Sequence, residues 1–185
     1  PYRWLEDPND PEVQAWVAKQ SERTAKDLER LPERAAIERR LTELWNYPRQ
    51  SVPVRRGSRS FHFRNEGLQN QPVLYVRDAP DAAPRGLLDP NTWSEDGTVA
   101  LSAWGFSEDG TLLAYSLSVH GSDWQEVHIR DVASGRDLGD VLRWVRFTGL
   151  AFTPDKSCLY YSRNPAPGSV PHGDEHYYQK LYRHR

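Results

Sequence analysis

The chain has 185 residues, a mean hydropathy of −0.80 and a net charge of −2. That length suffices for one good core or two small ones. The near-neutral balance removes the electrostatic case for a nucleic acid or an anionic membrane as partner, no apolar run reaches membrane-helix length, and the single cysteine, Cys158, rules out an internal disulfide framework or a multi-cysteine zinc site.

Residues 1–47 read as helical. Asp10 is placed to cap a helix with Pro11 at its first position, because a short acceptor side chain satisfies an orphan N–H and proline has no N–H to lose. Val13, Trp16, Val17, Thr24, Leu28 and Leu31 then fall on one face. A second helix gathers Ile37, Leu41, Leu44 and Trp45 and ends before Pro48, since the residue preceding proline disfavours helical angles. These apolar stripes either pack on each other or dock on a domain outside the chain. Tyr2 and Trp4, in the turn-rich "PYRWLEDP", are expected to anchor the segment.

From Ser51 onward the pattern changes to short alternating runs. "SFHFRNEG", "VLYVRD", "LLAYSLS", "EVHIRD" and "CLYYS" are strands by alternation and by β-branched and aromatic content. They recur with a period. Gly57 is followed by Asp78 in "LYVRD" and Gly110 by Asp131 in "VHIRD", both after 21 residues, and the two units are offset by 53. "AFTPDKSCLYYS" opens a third unit, with Phe152 set 46 residues after Phe106 and "KLYRHR" as its closing strand. "RGLLDP" and "GRDLGDVL" supply a fourth strand to the first two units. A four-stranded antiparallel unit of about 45–50 residues is a propeller blade by size, and one such sheet needs a neighbour on each face. Asp109-Gly110 is then a hairpin turn, while Asp96-Gly97 lies out of register, in the connection between blades. The fold class is mainly β with a helical N-terminal extension: about two and a half blades of an incomplete β-propeller. A propeller closes with at least four blades, and the chain holds no methionine, so it reads as a segment of a longer protein.

Chemistry is sparse. "GFSEDG" has the wrong spacing for a G-x-S-x-G nucleophile elbow, and a strand follows it where that motif needs a helix, so Ser107 is a turn residue. No phosphate-cradling glycine loop and no HExxH are present. "HGDEH", His172 to His176, offers metal-ligand types, but Pro171 and Gly173 make it a loop, and histidines at i and i+4 share a face only on a helix. It reads as a solvated insertion, and no metal or cofactor is expected.

"PYRWLEDP", "LTELWNYP", "GLQNQPVLYVRD", "LLDPNTWSEDGTVAL", "FSEDGTLLAYSLSVHGSDW" and "QKLYRHR" resemble, in order and from end to end, the N-terminal part of the prolyl oligopeptidase family. Trp16 and Trp104 stand where the family commonly has other aromatics, and residues 163–178 diverge. The resemblance implies a serine peptidase that cuts short proline-containing peptides after proline, built from an α/β-hydrolase domain and a seven-bladed propeller. It implies that residues 1–47 pack on that absent hydrolase domain, that residues 48–185 are the first propeller blades, and that the catalytic triad lies elsewhere, leaving no catalytic residue in this chain. Phe147 matches a propeller phenylalanine of the substrate pocket, although spacing alone makes it an ordinary packing aromatic. Arg146 and Asp123 match charged positions near the domain interface, where plain loop charges are the alternative. The loop from about Asn164 to Tyr177 matches a mobile segment at the interdomain gate. From the lone cysteine and the lack of a signal segment, a cytoplasmic location is expected. Two rivals stand: a related oligopeptidase that cuts after basic residues, and a non-catalytic propeller that serves as a binding module.

Overall fold

A computed structural model of the chain describes residues 2–171 and 173–185. Two units emerge, Pro1–Tyr47 and Pro48–Arg185. In the first, α1 (Pro11–Glu29) starts as its sequence dictates: Asp10 is extended, its carboxylate accepts from the Glu12 N–H at 2.7 Å, and Pro11 follows. The second helix, α2 (Arg34–Trp45), stops three residues before Pro48. Of α1 only Val13 is buried, while Trp16, Val17, Leu28 and Leu31 stay exposed, as do Ile37, Leu41 and Leu44 of α2. Trp4 meets Trp16 edge to face at 5.9 Å, and Tyr2, expected to anchor beside it, remains exposed.

The second unit is three antiparallel sheets in chain order. Blade 1 comprises β1 (Arg49–Gln50), β2 (Val54–Arg56), β3 (Arg59–Asn65), β4 (Val73–Arg77) and β5 (Arg85–Leu88), ordered β1-β3-β4-β5, with β2 also paired to β3. β1 and β2 are the two halves of one broken innermost strand, split around Pro53, which cannot donate to a ladder. Blade 2 is the meander β6 (Val99–Phe106), β7 (Leu112–Val119), β8 (Gln125–Asp131) and β9 (Asp137–Val145). Blade 3 holds β10 (Ala151–Phe152), β11 (Leu159–Arg163) and β12 (Lys180–His184). Asp96-Gly97 falls between β5 and β6, in the inter-blade connection.

Alternation sorts each strand into two faces, and the faces make two cores. Phe61, Leu74 and Val76 of blade 1 pack on Leu113, Tyr115 and Val132 of blade 2, and Phe61 stacks on Phe106 at 4.0 Å. Ala114, Val127 and Ile129 on the opposite face of blade 2 pack on Leu150, Leu159 and Tyr161. Each large apolar side chain buried this way contributes about 1.5–3 kcal/mol relative to exposure. Cys158 is buried as well.

The hairpin turns touch as well. Gly57, Gly110 and Lys156, the three repeat-equivalent positions, have φ of 55°, 70° and 53°. A Cβ on Gly57 would lie 2.5 Å from the Asp109 carbonyl oxygen, and one on Gly110 would lie 2.6 Å from that of Arg56, so the first two turns are stacked backbone on backbone. In the third turn a lysine replaces glycine, and its ammonium reaches back to Asp109 at 2.5 Å and to the Thr111 hydroxyl at 2.8 Å. On the blade 1 side of this seam Asp78 pairs with Arg59 and Arg85 at 2.7 and 2.9 Å. Those guanidiniums then donate to the carbonyls of Gly110 and Val132 in blade 2.

Candidate functional site

The expected site residues converge at one end of the second and third blades. Asp123 sits in the β7–β8 loop, where His120 and Gly121 at φ of 51° and 69° turn the chain. Arg146 and Phe147 follow the end of β9 directly. The Arg146 guanidinium donates to Asp123 Oδ2 at 2.9 Å through Nη2 and meets His176 Nδ1 at 2.7 Å through Nη1. Because arginine has no acceptor, that ring nitrogen of His176 carries the lone pair and the imidazole proton sits on Nε2. The same guanidinium lies over the Trp124 ring at 5.1 Å and over the Phe147 ring at 5.2 Å, so the cation meets two aromatic faces.

Phe147 itself is 72% exposed and has φ of 44°. A phenylalanine in the left-handed region carries local strain of about 1 kcal/mol or more, which surrounding contacts must over-determine. Those contacts exist. The Arg146 carbonyl accepts from Gln179 Nε2 at 2.6 Å, and the Thr148 hydroxyl accepts from the Ser162 N–H at 2.6 Å. The ring therefore projects from a pinned backbone into a cavity of about 390 Å³ lined by Arg146, Phe147, Asn164, His176, Tyr177 and Gln179. The lining contains no serine or cysteine, and it offers an aromatic face and amide donors without an acyl-transfer nucleophile.

Phe147, Arg146 and Asp123 are thus brought together. Sequence reasoning had not placed Trp124 or His176 with them, although Trp124 adjoins Asp123 in "GSDW". In "HGDEH" the sequence offers His176 as a metal-ligand type. His172 of that cluster lies outside the described residues, and Asp174–His176 forms one short 3-10 turn that delivers His176 to Arg146. Among the described residues no three His, Cys, Asp or Glu side chains cluster as a metal would require. Ser107 is buried, donates to Asp109 Oδ1 at 2.7 Å and accepts from the Leu112 N–H, so its hydroxyl braces the turn.

Successive four-stranded meanders packed face to face, with a third sheet begun, define part of a β-propeller domain. The family model for the prolyl oligopeptidase N-terminal beta-propeller domain matches residues 1–185, and the chain belongs to the prolyl oligopeptidase family. It is similar to a prolyl endopeptidase of Elizabethkingia miricola, 38% identical over 188 residues covering 100% of this chain and 26% of the relative. It is also similar to prolyl oligopeptidase A of Amanita bisporigera, 33% identical over 92% of this chain and 25% of the relative. Among solved structures, a prolyl endopeptidase studied for inter-domain dynamics in catalysis and specificity superimposes with a TM-score of 0.92 at 34% identity, over 100% of this chain and 27% of the other. Prolyl oligopeptidase B from Galerina marginata, bound to a 25-residue macrocyclization substrate, does so with a TM-score of 0.78 at 26% identity, over 91% of this chain and 26% of the other. The chain spans about a quarter of the length of the relatives it matches. No helix among the described residues is long and apolar enough to cross a membrane.

Proposed function

We propose that this chain is the N-terminal segment of a serine endopeptidase that cuts short peptides after proline. The segment helps to gate access and to line the substrate pocket, and the nucleophile is supplied by another domain. The observation that carries the reading is Phe147: an exposed ring on a pinned, left-handed backbone beside a polar cavity serves a ligand better than it serves packing. Arg146, largely neutralised by Asp123, orients that ring and presents residual donor capacity to peptide carbonyls. Asn164, His176 and Tyr177, from the two ends of that loop, line the cavity, which suits a gate. Trp16, Val17 and Leu28 of α1, Leu31 just after it, and Ile37, Leu41 and Leu44 of α2 are exposed; they dock on the α/β-hydrolase domain of the same protein, and the protein works in the cytoplasm.

In the intact protein, Phe147→Ala lowers kcat/KM for proline peptides by about tenfold, the scale of one lost interface aromatic. The 185-residue chain by itself turns over none. An unchanged KM and kcat across several peptides would reduce Phe147 to packing. A preference for arginine over proline substrates in the wild type points to an oligopeptidase of basic specificity. Absence of any hydrolysis, with no G-x-S-x-G in the intact protein, leaves a binding propeller.

A further inference from the structure

The 53-residue repeat assigns each blade face to a neighbour. Phe61, Leu74 and Val76, which face blade 2, correspond to Ala114, Val127 and Ile129, which face blade 3. On the other side of each sheet, Ser60, His62, Arg64 and Arg77 correspond to Leu113, Tyr115, Leu117 and Arg130, with which blade 2 meets blade 1. The first set therefore occupies the positions by which a blade meets the one before it. A propeller closes its sheets into a ring of at least four. In a member of a propeller-domain family, the neighbour on this side of blade 1 is the last blade of the ring.

The two faces differ in chemistry. Blade 2 seats on blade 1 through a dry surface in which Leu113 and Tyr115 are 0% and 2% exposed. Blade 1 offers a serine, a histidine and an arginine at the same positions. The Tyr115–His128 stack at 5.6 Å reappears as His62–Tyr75 at 5.7 Å with the residue types exchanged. Arg130 is held by Asp137 at 2.7 and 2.9 Å and donates across the seam to the Leu87 carbonyl at 2.7 Å. Its counterpart Arg77 has Pro84 where the repeat would place that aspartate, and its guanidinium donates to Pro80 of its own blade at 3.1 Å. Arg77 shares an open cleft of about 360 Å³ with Arg55, Ser58, Ser60 and His62, and no carboxylate lines it. The field there is positive: burial first, then the charges of Arg77 and Arg64, hold the His62 imidazole below its ordinary pKa.

We propose that the closing seam of this propeller is electrostatic: the last blade seats on blade 1 by presenting carboxylates to Arg55 and Arg77, beside the His62–Tyr75 stack, in place of the dry contact that joins blades 1 and 2. This rests on the propeller fold alone, so it stands or falls independently of the peptidase reading. A structure of the intact protein tests it. The expected result is an Asp or Glu oxygen of the last blade within about 4 Å of an Arg55 or Arg77 nitrogen. Apolar side chains packed on Ser60 and His62 with both guanidiniums turned to solvent, a bound small anion in the carboxylate's place, or no blade on this face would overturn it. Charge reversal at both sites, Arg55→Glu with Arg77→Glu, is expected to lower the melting temperature of the propeller by roughly 2–4 °C, and a lysine in place of the opposing carboxylate to restore it. The milder Arg55→Gln with Arg77→Gln keeps the test open if the reversal does not fold: the melting temperature becomes less sensitive to salt, because salt screens the partly exposed pair. An unchanged salt response in that variant counts against the proposal.

Discussion

Gly110 combines two constraints that act on single atoms: φ is 70°, and a Cβ there would meet the Arg56 carbonyl oxygen at 2.6 Å. Gly121 has nearly the same φ, 69°, but nothing lies within 4 Å of its would-be Cβ. The pair separates conformational strain from close approach. Gly121→Ala is expected to cost about 1 kcal/mol, the price of a left-handed L-residue, and Gly110→Ala about 2–4 kcal/mol, because backbone must also move. Urea unfolding of the two variants measures both, and equal losses would show that the turns of blades 1 and 2 are not locked together. The sequence made Gly110 legible because a glycine after aspartate at a strand end is a local signal. The Arg146 cluster was not legible in the same way, since it joins side chains separated by 23 and 30 positions in the chain, and no local pattern encodes that approach.

Between elements, the repeat turns act as clasps, and the third works by charge where the first two work by backbone contact. The Lys156 ammonium first, then the Ser107 hydroxyl and the Thr111 N–H, hold the Asp109 carboxyl well below the usual carboxylate range. A carboxylate with a depressed folded-state pKa adds stability that is complete above its unfolded value, about 4, and is lost as pH falls toward the folded value. Both partners are more than a third exposed, so the clasp is worth about 0.5–1 kcal/mol after solvent screening. Lys156→Met is therefore expected to lower stability by that amount at pH 7, with the difference from wild type shrinking as pH falls from about 4 toward the lowered folded-state value of Asp109. Denaturant melts at several pH values check this, and a loss that stays constant into strong acid would assign it to packing of the lysine stem. Strand identity was readable here because alternation and β-branched residues specify a half-buried sheet. The inter-blade assignment needed the offset of 53 as well, because alternation alone does not say which neighbour a face meets.

At the scale of the whole molecule, the governing quantity is surface left over by an unclosed set of blades. Blade 3 packs Leu159 and Tyr161 inward on blade 2, and the alternate residues face the other way. On that outer face the pairing of Ser162 with Leu181 and of Tyr160 with Arg183 puts Tyr160 and Leu181, 37% and 72% exposed, on one side of a sheet that the repeat says should carry a further blade. An isolated four-stranded sheet cannot bury both faces, and uncovered apolar faces seek partners. The 185-residue chain is accordingly expected to self-associate with rising concentration, and Leu181→Lys to shift that association to higher concentration by placing a charge on that face. Sedimentation velocity across roughly 1–100 μM resolves the two, a range in which weak contacts of this kind populate. A strictly monomeric wild type would mean that the open face is tolerated in water. Association unaffected by Leu181→Lys would move the sticky surface to the exposed helical stripes of the first unit, whose Ile37, Leu41 and Leu44 then become the next positions to charge.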